Sequence, residues 1–163
     1  MDFHPDKCSI LSITRSRKST PDQYTLLEQT LQSVTSAKYL GVTLQHDVKW
    51  DQHFNNIIAN ASKSLAFLRR NLKICAINTK QLAYKSLVRL LLEYASTVWD
   101  PHIKKDTSRI EMLQRRAACF VLQDYRQVFD DMTGRLNWPI LEHRRYVAMF
   151  YEVVNRLAAT SCC

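Results

Sequence analysis

The groups in this sequence best suited to chemistry are cations, and the chemistry they suggest is contact with phosphate. Arg69-Arg70 and Arg115-Arg116 are adjacent guanidinium pairs, best placed for this as a set rather than singly. Lys85, Arg89 and Glu93 recur every fourth position, which would lay a charged ridge along one helical face that could meet a phosphate backbone. The formal charge of +8 is unevenly placed. Residues 1–48 hold five basic and five acidic side chains, whereas residues 49–124 hold thirteen Lys and Arg against six Asp and Glu. A basic surplus confined to the middle of a chain attracts polyanions, of which nucleic acid is the commonest.

Other chemistries find little support. The cysteines at 8, 75, 119, 162 and 163 are odd in number and lack Cys-x-x-Cys spacing, so they read as reduced thiols, three of them inside apolar segments where a free Cys behaves as a small hydrophobe. His46, His53, His102 and His143 are scattered without ligand spacing, which predicts no metal site. The first residues, Met1 to Lys7, show neither the basic nor the apolar region of a secretory signal. The longest apolar stretch, Leu87 to Trp99, is interrupted by Arg89 and Glu93 and is too short to span a bilayer. An intracellular protein, nuclear or cytoplasmic, with no membrane partner is the expectation.

The elements that must position these cations follow from periodicity. Cys8 to Thr14 is β-branched and aliphatic and reads as a strand, with a hairpin turn in the basic stretch Arg15 to Pro21. A weaker run follows at Tyr24 to Glu28, and then Ala37 to Leu44, where Gly41 suggests a bulge or a close backbone approach. From Trp50 the period changes: Trp50, Phe54, Ile57, Ala61, Leu65, Leu68 and Leu72 form one helical stripe, with Lys63, Arg69 and Arg70 off it. A second helix is predicted from an N-cap at Asn78 or Thr79 to Asp100-Pro101, its stripe being Leu82, Leu87, Val88, Leu91, Ala95 and Val98. A third spans 106–123 on Ile110, Leu113, Ala117 and Phe120, and a short fourth carries Phe129, Met132 and Leu136. A fifth, with Pro139 in its first turn, carries Val147, Phe150, Val154 and Leu157. These stripes, with Trp50 and Trp99, are expected to be core rather than ligand pocket. The fold class is therefore α+β, mostly α, with a small antiparallel β-hairpin region in residues 1–48 and a helical bundle in residues 49–163.

Several blocks along this chain occur in a recognisable order. They are Phe3-His4-Pro5-Asp6-Lys7-Cys8, Lys38-Tyr39-Leu40-Gly41-Val42, Trp50 with His53 and Ile57, and Arg69-Arg70-Asn71-Leu72. Further on come Leu92-Glu93-Tyr94-Ala95-Ser96 leading to Val98-Trp99-Asp100-Pro101, Leu113-Gln114-Arg115-Arg116-Ala117, and Leu136-Asn137-Trp138-Pro139 before Leu141-Glu142-His143-Arg144-Arg145. Their order and spacing resemble the carboxy-terminal third of reverse transcriptases from jockey-like, non-long-terminal-repeat retrotransposons.

The resemblance implies the end of a polymerase palm followed by a helical thumb that holds RNA–DNA or DNA duplex without sequence preference. It matches Lys7 to a cation near the incoming triphosphate, with His4 in place of the usual Asn, and it matches Tyr39, Leu40 and Gly41 to the primer grip. The family's metal-binding aromatic-x-Asp-Asp turn would lie upstream of Met1, since Val128-Phe129-Asp130-Asp131 sets its aromatic one position too close to the aspartates. Without paired carboxylates to hold two Mg²⁺ ions the chain has no catalytic residues and no cofactor of its own. The expectation is a truncated RNA-directed DNA polymerase that is inactive in isolation, grips nucleic acid through Lys7, Tyr39, Gly41, Arg69, Arg70, Lys85, Arg89, Arg115 and Arg116, and would need the upstream palm and fingers as partner. A non-functional relic and a helical protein-interaction module remain as alternatives.

Overall fold

A computed structural model describes residues 4, 7–13, 23–101, 103–126 and 128–160. It is mostly helical, with short strand pairs near the start of the chain followed by a helical region. The chain divides into two compact units, Met1–Phe54 and Asn55–Cys163, so the division falls inside the first helix.

Among the described residues of the first unit three two-stranded pairs form, and one departs from the antiparallel expectation. β1 (Ser9–Ile10) runs parallel to β4 (Gln32–Ser33), and the turn expected within Arg15 to Pro21 lies outside the described residues. The weak run at Tyr24 to Glu28 is not one strand. Leu27 and Glu28, at φ 50° and 64°, turn the chain between β2 (Thr25–Leu26) and β3 (Gln29–Thr30). The same correction applies at Gly41. β5 (Ser36–Tyr39) pairs with β6 (Val42–Gln45) in the register Tyr39↔Val42, leaving Leu40 and Gly41 as a two-residue loop at φ 46° and 82°. Two consecutive positive φ values match the right-handed twist of a tight hairpin, so Gly41 serves a turn rather than a bulge. Val42, His53 and Phe54 are buried. The backbone N–H of Thr43 donates to Nδ1 of His53 at 3.1 Å.

Beyond the division, the regular elements among the described residues are helices, and α1 runs into them from the first unit. α1 (Asp51–Asn71) buries Phe54, Ile57, Ala61, Leu65 and Leu68, as its apolar spacing demands. The next helix does not follow its apolar spacing. It starts as α2 (Ile77–Tyr84) from an N-cap at Ala76, not Asn78 or Thr79, and widens into a π-helical segment over Lys85–Arg89. It closes as α3 (Leu90–Glu93), breaks at Ala95 with φ 51°, and resumes as α4 (Ser96–Trp99). The buried residues are Lys80, Tyr84, Val88, Leu92, Ser96 and Trp99, while Leu82, Leu87, Leu91 and Val98 are exposed. A step of four overshoots an α-helical turn by about 40°, and the wider π turn takes back the drift, keeping this partly polar row on one side. Beside the break the buried Trp99 indole donates to the Tyr94 carbonyl at 2.8 Å.

α5 (Lys104–Leu122) is the central element and packs with α2, α6 (Phe129–Leu136) and α7 (Leu141–Thr160). Its expected stripe, Ile110, Leu113, Ala117 and Phe120, is buried, as are Met132 and Leu136 of α6. Tyr84 stacks on Trp138 with ring centroids 4.3 Å apart. Pro139 precedes α7 rather than opening it, and its carbonyl accepts a bond from Nε2 of Gln114 at 3.1 Å. The largest correction concerns α7: Val147, Phe150, Val154 and Leu157, expected in the core, are all exposed. The helix faces the unit through Leu141 and Arg145 instead, and both are buried.

Candidate nucleic-acid interface

Two hydrogen bonds fix how α1 lies along α5. Nη2 of Arg109 donates to Oδ1 of Asn55 at 2.9 Å, and Nε2 of Gln123 donates to the carbonyl of Lys73 at 2.9 Å. Early residues thus meet early residues and late meet late, so the two helices run parallel with a crease between them. Ile58, Ser62, Arg109, Met112, Leu113 and Arg116 line a cavity of about 170 Å³ in that crease.

At the carboxy-terminal end the crease opens into a cavity of about 410 Å³ lined by Arg69, Arg70, Lys73, Phe120, Gln123 and Tyr125. Arg69 and Arg70 occupy the last turn of α1, off its buried stripe, and both are exposed. Gln123 adopts the left-handed conformation that ends α5, and the chain after it carries Tyr125, which is 66% exposed. Phe120, 5% exposed, contributes to the wall from the core side. Its ring also lies 5.5 Å from the ammonium of Lys80, a cation–π contact within a buried environment. A cavity with three cations and one accessible ring can accept phosphate oxygens and offer a base a stacking surface.

No known protein family, characterised protein or solved structure matches this chain. A role therefore has to come from the disposition of charge and shape.

That disposition separates the cations named from the sequence. Arg69 and Arg70 share the large cavity, and Arg116 lies in the crease with Arg109, which itself pairs with Asp106 at 3.3 Å. Arg115, about 100° further round α5, lines a different cavity of about 300 Å³ that also holds Glu111 and Glu142. Two carboxylates make that a poor place for a phosphate. The Lys85, Arg89 and Glu93 ridge is not an open one. Lys85 is half-buried, Arg89 lies 3.7 Å from Glu93, and Arg144 grips both carboxylate oxygens of Glu93, which holds its guanidinium pKa above the usual value. In the first unit Lys7, Tyr39 and Gly41 are all exposed, and the Lys7 backbone N–H donates to the carbonyl of His4 at 3.0 Å.

Lys73, Arg109, Gln123 and Tyr125 were not legible as site residues. Lys73 follows Arg70 by one turn and carries a signal of that kind, but Tyr125 sits beyond the helix end with no periodicity to mark it. Asp130 and Asp131 occupy the first turn of α6, where carboxylates complement the positive end of a helix. Among the described residues no group of three or more His, Cys, Asp or Glu side chains is arranged to hold a metal ion.

Other titratable groups lie away from the crease. Burial pushes the Glu111 carboxyl up from its ordinary range, against the opposing pull of the Glu142 backbone N–H and Arg145. Burial likewise raises the Tyr84 phenol well above its ordinary range. No helix in the described residues is long and apolar enough to cross a membrane.

Proposed function

We propose that this chain is the palm-edge and thumb portion of a non-long-terminal-repeat retrotransposon reverse transcriptase, and that its helical unit holds nucleic acid through phosphates without reading sequence. The observation that carries the binding reading is the cluster of Arg69, Arg70 and Lys73 around a cavity that Tyr125 borders. The crease continues the cationic track through Arg116, beside Arg109, whose charge is shared with Asp106. Counting from residue 58 to residue 73, a helical rise of 1.5 Å per residue gives the track a length of about 22 Å, enough for several phosphates of one strand.

The origin rests on the ordered blocks, two of which meet in space. The block holding Glu93 and Asp100 is tied to the block holding Arg144 and Arg145 by two ion pairs, Glu93–Arg144 and Asp100–Arg145. Phosphoryl transfer would require paired carboxylates and their metal ions. This portion therefore holds and positions substrate, and the polymerase palm and fingers supply the chemistry.

The test is titration of the purified chain against a fluorescent RNA–DNA primer–template across a salt series. Affinity is expected to fall with a log–log slope of about −0.9 per phosphate neutralised. Replacing Arg69, Arg70 and Lys73 together by Ala should flatten that slope, whereas Arg115→Ala should leave it in place. A folded sample that does not bind at low salt, or a slope indifferent to the triple substitution, overturns the proposal.

A further inference from the structure

α7 has two opposed faces, and the helical unit accounts for only one of them. Leu141 and Arg145 are buried and Met149 and Glu152 half-buried, and the Glu152 carboxylate is hydrogen-bonded to the Thr97 side chain. At about 100° per residue the opposite face carries Tyr146, Val147, Phe150, Tyr151, Val153 and Val154. All six are exposed, Phe150 at 68% and Tyr146 at 65%. Between Tyr146 and Val154 the sole charged residue is Glu152, which belongs to the packed face.

The size of this face matters. With roughly 200 Å² available to each aromatic side chain, the three rings and three valines expose about 600 Å² of contiguous apolar surface. That is at the upper end of the largest patch on an ordinary monomer, about 300–600 Å². It approaches the roughly 800 Å² that each partner contributes to a stable dimer, and flanking polar atoms would supply the remainder.

We infer that this face is the dimer interface of the protein, pairing α7 of one copy antiparallel with α7 of a second copy about a two-fold axis close to Phe150. Tyr146, Phe150 and Val154 lie four apart along this face, symmetric about Phe150, and a two-fold axis requires the same patch to fit itself. The patch carries its large rings at Tyr146, Phe150 and Tyr151 and its small side chains at Val147, Val153 and Val154. Antiparallel pairing about Phe150 sets Tyr146 against Val154 of the other copy, large against small at each end, with Val147 against Val153 and the two Phe150 rings meeting on the axis. Parallel pairing would crowd the rings at one end and leave a gap at the other. A lipid surface fits less well, because an interfacial helix carries Lys and Arg along its polar face and here that face is packed against the unit. The inference is independent of phosphate binding.

Sedimentation equilibrium of the full chain without nucleic acid, from about 1 to 100 µM, is the test. A monomer–dimer equilibrium is expected. Tyr146→Glu and Val154→Lys should each weaken dimerisation by about 30-fold or more, since each sets an unpaired charge against an apolar side chain of the other copy. Combining them places opposite charges face to face at both ends of an antiparallel seam, and association should return. Unchanged far-UV circular dichroism shows that each variant is folded. A wild-type chain that stays monomeric, or that forms open-ended aggregates indifferent to these substitutions, overturns the inference. Two weakened single variants whose combination is no better than either overturn the antiparallel arrangement.

Discussion

Arg145→Ala should be among the most damaging single substitutions in the helical unit. The Arg145 side chain is 2% exposed, and its Nε donates to Oδ1 of Asp100 at 2.7 Å. Asp100 caps the carboxy-terminal end of α4, a position that already disfavours a negative charge. Truncating Arg145 removes the compensating cation and the apolar stem that fills the space beside Leu141. Breaking a buried pair by deleting one partner costs about 3–5 kcal/mol. The Asp100 side chain is 19% exposed and can recover some hydration, which puts the expected loss near the lower end, about 3 kcal/mol. In a chain of this size that corresponds to a fall in Tm of about 6–12 °C. Urea titrations read the loss as a shift of midpoint at constant slope. The Arg145→Ala/Asp100→Ala double variant should lose less than the two singles together, by about 1 kcal/mol or more. Arg156→Ala is the internal control: the same type of pair, with Glu152, on an Arg side chain 78% exposed, should leave the midpoint where it was. A loss below about 1 kcal/mol for Arg145→Ala would refute the view that this pair holds α7 to α4.

Four further outcomes are expected. Glu111 has its pKa raised by burial, so it stabilises the fold fully below its unfolded value of 4.5 and loses that contribution as pH rises through the folded pKa. Glu111→Gln should therefore raise stability at neutral pH and lose its advantage toward pH 4.5, as urea midpoints across a pH series will show. His53 moves the other way, lowered first by burial and then by Lys38, so its contribution is present above its ordinary 6.5 and lost as pH falls through the folded value. A proton NMR titration should find His53 still neutral at a pH where exposed histidines are charged, because Nδ1 is accepting the Thr43 N–H. Leu40→Asn should stabilise the first unit by about 1 kcal/mol, since Leu is strained at positive φ and Asn is not. Gly41→Ala, at φ 82°, should destabilise it, both read from urea midpoints.

How much of this was legible depended on whether apolar spacing and burial agreed. In α1 they do, and Phe54, Ile57, Ala61, Leu65 and Leu68 are buried as the spacing requires. In the next helix they part company, because the inward row includes Lys80 and Ser96 and is held in phase by a π turn that no spacing rule anticipates. In α7 the apolar stripe is real but faces outward, and the inward side depends on Arg145, a residue any composition rule would assign to solvent. The Leu40-Gly41 turn was hidden because Leu is an unusual occupant of a left-handed position. Of the candidate site, the Arg69-Arg70 pair was visible from charge and position. Its meeting with Tyr125 was not, because that depends on α1 and α5 running parallel.

The parallel course of those two helices has an electrostatic consequence for anything that enters the crease. Antiparallel neighbours largely cancel one another's fields, whereas parallel ones add, and the negative ends of α1 and α5 arrive together at the cavity of Arg69, Arg70 and Lys73. Each helix end carries the equivalent of roughly half an elementary charge, so the pair together offset about one of the three cations. Toward an approaching phosphate the cavity should behave as about two positive charges rather than three. The salt slope lost on removing all three side chains should accordingly correspond to about two phosphates. The same substitution withdraws the counter-charge that both helix ends rely on, so their last turns should fray even in the absence of nucleic acid.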